Sequence, residues 1–115
     1  MKAKEIKKRY IRLMHDVAND DFYKTDLTNR VNCYTCQCGH ITKTKDIDSG
    51  VIPFLFRCEK CGNLAQSSFF KDIVPTQKPS FEWYRPSLDE LLDDSKDIDL
   101  EHVLNGGLEP RKIIS

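Results

Sequence analysis

The sequence has no apolar run approaching the ~20 residues that a membrane helix needs, so a helical membrane span is excluded. No signal peptide is expected either. The first nine residues, Met-Lys-Ala-Lys-Glu-Ile-Lys-Lys-Arg, are charged and no apolar stretch follows them. Net charge is absent, with 18 Lys and Arg against 18 Asp and Glu, which argues against a module built mainly to hold nucleic acid. There is no low-complexity segment and no repeat beyond two small cysteine clusters. An even cysteine count is lacking too, and five thiols fit poorly with a closed disulfide framework. The chain's 115 residues suffice for one domain and bury only a thin core. Chains of this size commonly add a staple. The expected compartment is the cytoplasm, where thiols stay reduced and bind zinc.

What is present begins with the cysteines. Four of them lie in two tight clusters separated by about 20 residues, the pattern of a metal site. Cys58-Glu-Lys-Cys61-Gly62 has the two-residue spacer of a zinc knuckle, and its glycine can take the positive φ that such a turn needs. The first half is ambiguous, with Cys33, Cys36, Cys38 and His40 all candidates. Gly39 follows Cys38 as Gly62 follows Cys61, so Cys38 matches Cys61. Its partner is Cys36 across one residue, or Cys33 across a longer spacer. Cys33-Tyr-Thr-Cys36 is an alternative knuckle without the glycine, and His40 could replace one thiolate. The favoured set is Cys36, Cys38, Cys58 and Cys61 around one structural Zn2+. Four thiolates close the coordination sphere, whereas a catalytic zinc keeps a position open. An iron–sulfur cluster is the weaker reading of such paired knuckles.

The pattern predicts an α+β chain: a three-stranded antiparallel zinc ribbon with an N-terminal helix and short C-terminal helices. All of it is read as one domain. Residues 1–20 form an amphipathic basic helix, regular over 4–18, with Ile6, Tyr10, Leu13, Met14 and Val17 on one stripe. Residues 31–71 form the ribbon. Its lead-in is residues 31–35, its strands are 41–45, 51–57 and 64–70, and Asp48-Ser-Gly is a turn. Residues 72–86 contain Pro75, Pro79 and Pro86 and read as an irregular strap. Residues 87–115 form an acidic helical segment. It opens on the capping box Ser87-Leu-Asp-Glu90 and has a left-handed stop at Asn105-Gly-Gly. Charge is uneven along the chain, net +5 over residues 1–45 and net −5 over residues 81–115, so the two ends are expected to attract each other or to face different partners.

Several runs together carry a resemblance: Tyr34-Thr-Cys-Gln-Cys-Gly-His-Ile-Thr-Lys-Thr, Gly50-Val-Ile-Pro-Phe, Cys58-Glu-Lys-Cys-Gly, Gln66-Ser-Ser-Phe-Phe, Glu82-Trp-Tyr-Arg-Pro and His102-Val-Leu-Asn-Gly-Gly-Leu. Over residues 31–112 the chain resembles a group of small uncharacterised zinc-ribbon proteins of tailed bacteriophages and prophages. The resemblance implies a Cys-x-Cys-Gly pairing, which supports Cys36 with Cys38, and a phage or prophage origin. It carries no biochemical activity.

Trp83, Tyr84 and Arg85 are the residue types that dominate binding hot spots. Their alternative reading is structural, with Trp83 and Tyr84 packed on the ribbon and Arg85 paired with an acid. Phe54, Phe56, Phe69 and Phe70 could stack bases or fill a core. His15, His40 and His102 are scattered. The expected function is a non-enzymatic protein-binding module acting on a host or phage complex, with Trp83, Tyr84 and Arg85 at its contact. The alternative is a nucleic-acid-binding ribbon that uses Lys2, Lys4, Lys7, Lys8, Arg9 and Arg12 of the basic helix, with Lys43 and Lys45. A thiol redox enzyme using Cys33 and Cys36 lacks the strand-to-helix setting that activates such a pair.

Overall fold

The computed structural model describes residues 1–24, 30–68 and 78–113. Helix α1 (Ala3–Asn19) follows the predicted stripe, with Ile6 and Leu13 buried, and the short α2 (Asp21–Lys24) comes after it. Six strands then form one mixed sheet with α3 (Leu88–Leu92) and α4 (Leu100–Leu104). The strands are β1 (Val31–Thr35), β2 (Ile41–Asp46), β3 (Leu55–Arg57), β4 (Leu64–Ser68), β5 (Phe81–Tyr84) and β6 (Glu109–Lys112). They run in the order β3-β4-β1-β2-β5-β6, antiparallel except for β2 with β5. Among the described residues no helix is long and apolar enough to cross a membrane.

The α+β class is as expected, but the sheet is larger than a three-stranded ribbon, for two reasons. First, the lead-in at 31–35 is itself the central strand β1, paired with both β2 and β4. Second, residues 81–84 of the supposed strap form the regular strand β5. The strap's prolines bracket β5 instead of running through it, and Phe81 and Trp83 turn inward between them. Residues 72–77 of the strap, like Phe69 and Phe70, lie outside the described residues.

The strand expected over 51–57 breaks at Pro53. Beyond the break β3 is a short edge strand; before it, Val51 donates to Gly106 O (3.0 Å) and accepts from Leu108 N–H (2.8 Å). That approach needs Gly50, because a Cβ there would come within 2.7 Å of Gly106 O. The C-terminal segment is less helical than expected. Ser87 Oγ accepts from Glu90 N–H at 3.3 Å as the capping box predicts, and Gly106 takes φ +100° at the stop, but the chain then enters β6. Pro110 is tolerated because β6 is an edge strand.

Two cores result. Tyr34, Cys58, Ala65, Trp83 and Leu108 fill the one under the sheet, while Ile6, Leu91, Val103 and Leu104 join α1 to α3 and α4. The oppositely charged ends do meet, since Arg9 forms a bidentate pair with Glu101 at 2.9 and 3.1 Å. Glu101 is largely exposed there, so the pair contributes less to stability than the apolar seam beneath it.

Candidate metal centre

The two cysteine clusters sit on turns that the backbone builds in the same way. In the first, Gly39 N–H donates to Cys36 O (2.9 Å) and Cys36 N–H to His40 O (3.1 Å). In the second, Gly62 N–H donates to Cys58 O (2.9 Å) and Cys58 N–H to Asn63 O (2.8 Å). The first turn is one residue shorter, which is why a one-residue spacer suffices between Cys36 and Cys38. Both glycines take positive φ, +90° at Gly39 and +79° at Gly62. A Cβ at either would meet nothing within 4 Å, so the requirement there is conformational and not steric crowding from outside.

These turns bring four sulfurs together. Cys36 Sγ lies 3.4 Å from Cys61 Sγ and Cys38 Sγ lies 3.7 Å from Cys58 Sγ. All four are within 4.8 Å of one another, a group that could hold a metal ion. Ligands ~2.3 Å from a tetrahedral zinc stand roughly 3.8 Å apart, so the spacing fits the ion's shell. It is far longer than a disulfide, and all five cysteines are free thiols. The donor set also fits, since four thiolates suit a soft or borderline cation.

Without a cation the quartet holds its protons unevenly. The Cys61 backbone N–H, helped by that of Lys60, draws the Cys58 thiol down to about 6 despite burial. Cys36 accepts from the Cys38 backbone N–H, yet the Cys61, Cys38 and Cys58 thiols, together with burial, push it up to about 12. Like charges this close resist ionising together, and a dication reverses that resistance.

No family model, curated protein or solved structure matches this chain.

The two other candidate ligands, Cys33 and His40, lie outside the quartet. Cys33 is buried on β1, in register with Lys43 and Ser68. His40 turns its Nε2 to Glu59 Oε1 at 2.8 Å.

Trp83, Tyr84 and Arg85 do not form one exposed patch. Trp83 is 1% exposed, and its indole N–H donates to Thr44 Oγ1 at 2.7 Å. Tyr84 donates to a Glu90 carboxylate oxygen at 3.0 Å, with the Arg111 guanidinium 4.4 Å from its ring centre. Arg85 uses its backbone N–H on Asp48 Oδ2 (2.8 Å) and its guanidinium on Ser49 O, with the Tyr23 ring 5.5 Å away. Trp83 and Tyr84 are consecutive on β5 and point to opposite faces, so the strand cannot present both on one surface.

A polar cluster inside the sheet has no counterpart in the sequence reading. Asp46, 1% exposed, accepts from Asn32 Nδ2 at 2.8 Å and lies 3.2 Å from Arg30 Nη2. Burial pushes its carboxyl above the usual range, against the pull of Arg30 and Asn32. The only sequence signal was β2 itself, where Thr42, Thr44 and Asp46 share one face.

Proposed function

We propose that the chain is a small non-enzymatic protein-binding module, stapled by one structural zinc on Cys36, Cys38, Cys58 and Cys61. The observation that supports this reading is the composition of the sulfur quartet. Four thiolates on one ion would leave no coordination position for a substrate, so such a metal serves the fold and not a reaction. The antiparallel strands β3-β4-β1-β2 and the two knuckles would then be a ribbon, extended by β5 and β6. On the resemblance to phage and prophage proteins, the partner would be a host or phage protein in the host cytoplasm.

Nucleic acid is the second reading, and one feature favours it. Lys4, Lys7, Lys8 and Arg12 are exposed on α1 around Ile11, which is 68% exposed. Affinity capture with the zinc-loaded full chain, analysing proteins and nucleic acids together, separates the two. A discrete protein retained at physiological salt is expected. Nucleic acid retained instead, with binding that falls steeply as salt rises, would favour the α1 reading.

A further inference from the structure

Four lysines from three separate segments converge on one groove beside the knuckles. Lys43 and Lys45 come from β2, Lys78 from the stretch before β5, and Lys112 from β6. The groove has two lobes that share Glu59, Lys78 and Ser80, and His40 and Ile41 line its knuckle end. Among the described residues none of the four lysines has an ion-pair partner within 4.0 Å. Among the described residues the groove's one carboxylate is Glu59, which His40 engages at 2.8 Å and whose acidity the charge of Lys112 also strengthens. Lys43 and Lys45 are half-buried, and four lysines set against one described carboxylate repel one another more than that carboxylate can offset. In a chain of zero net charge, this local excess of positive charge calls for an anion.

The backbone adds a direction. Strand β5 lies opposite β2 only from Thr44 onward, and the contact begins where Ser80 N–H donates to Lys43 O (3.0 Å). Upstream, Gly39 and Ile41 line the groove with no strand paired to that side among the described residues. Ile41 is 45% exposed there. Such an edge can accept an extended chain through main-chain hydrogen bonds.

We propose that this groove binds an extended acidic segment of a protein partner, laid beside Ile41 at the unpaired end of β2, with its carboxylates on Lys43, Lys45, Lys78 and Lys112. The proposal rests on the protein-binding reading above and names the chemistry of the partner. A nucleic-acid strand fits the groove less well, because among the described residues no Phe, Tyr or Trp lines it to stack a base.

The test is fluorescence anisotropy on the zinc-loaded full chain with two labelled probes of equal charge. One is an octapeptide alternating Glu with Val and the other a short oligothymidylate. The peptide is expected to bind more tightly. The paired change Lys78→Glu and Lys112→Glu, at exposed positions where folding is little at risk, should weaken it at least about tenfold. Lys4→Glu with Lys7→Glu, an equal charge change on α1, should leave it within about twofold. Zinc content and circular dichroism confirm that each variant is folded. Equal losses from both pairs would reduce the effect to net charge and overturn the proposal. So would tighter oligothymidylate binding that depends on Lys78 and Lys112, or no peptide binding at all. If the peptide fails while the chain still captures a protein, the groove assignment is wrong and the module reading stands. If no protein is captured either, both fall.

Discussion

Serine in place of any one of Cys36, Cys38, Cys58 or Cys61 is expected to cost the chain its metal and, with it, the folded sheet. Structural zinc sites of this kind contribute apparent binding energies of ~10–16 kcal/mol, and a small domain has only ~5–15 kcal/mol of net stability. Loss of one ligand therefore removes a term comparable to the whole. Cys58 carries a second role, because it is 3% exposed and belongs to the core with Tyr34, Ala65, Trp83 and Leu108. Helix α1 has its own seam with Leu91, Val103 and Leu104. Circular dichroism should consequently lose strand signal first and helix signal less completely, and a strong chelator should reproduce the pattern. Cys33→Ser lies outside the quartet and should keep the metal, at a stability cost of about 1 kcal/mol for a buried polar substitution. Metal lost from Cys33→Ser but kept by Cys36→Ser would reassign the first knuckle.

The next largest effect is expected from Trp83→Ala, at about 3–5 kcal/mol of stability. The indole is almost wholly buried, with ring centres 5.4 Å from Phe56 and 6.4 Å from Tyr34. Truncation leaves a cavity beneath β2 and strands the hydroxyl of Thr44, its hydrogen-bond partner. Chemical denaturation should show a lowered midpoint, while binding per folded molecule stays unchanged. Arg85→Ala should follow the same pattern with a smaller loss, because Arg85 ties β5 to the turn at Asp48 and Ser49. A variant of either residue that kept full stability and lost partner affinity would restore the run at 83–85 as a binding surface.

The parts of the fold that the sequence made legible are those written in local chemistry. Gly39 and Gly62 marked positive-φ turns, and the cysteines before them marked the quartet. Ser87 with Glu90 marked a helix start. The illegible parts depend on partners distant in the chain. Residues 31–35 look like a lead-in until β4 arrives on one side and β2 on the other. Strand β5 was hidden by the prolines around it, and β6 by Pro110 within it, because nothing local says that a proline will fall at an edge. Strand β2 misleads most directly. Its one large apolar residue, Ile41, is exposed, while Thr42, Thr44 and Asp46 go inside to meet Glu59 N–H, Trp83 and Asn32. A polar inner face is decided by its hydrogen-bond partners, and hydropathy alternation cannot register them. The lysine groove was invisible for the same reason, since Lys43, Lys78 and Lys112 are far apart in sequence and adjacent only once β2, β5 and β6 assemble.

The central claim is that one closed four-sulfur zinc site holds the fold. Zinc-edge X-ray absorption on the purified full chain, with elemental analysis of the same sample, tests it most directly. The account predicts one zinc per chain with four sulfur neighbours at about 2.3 Å and no lighter atom in the inner shell. A nitrogen or oxygen ligand in that shell, two zinc ions per chain, or a folded protein free of metal would contradict it.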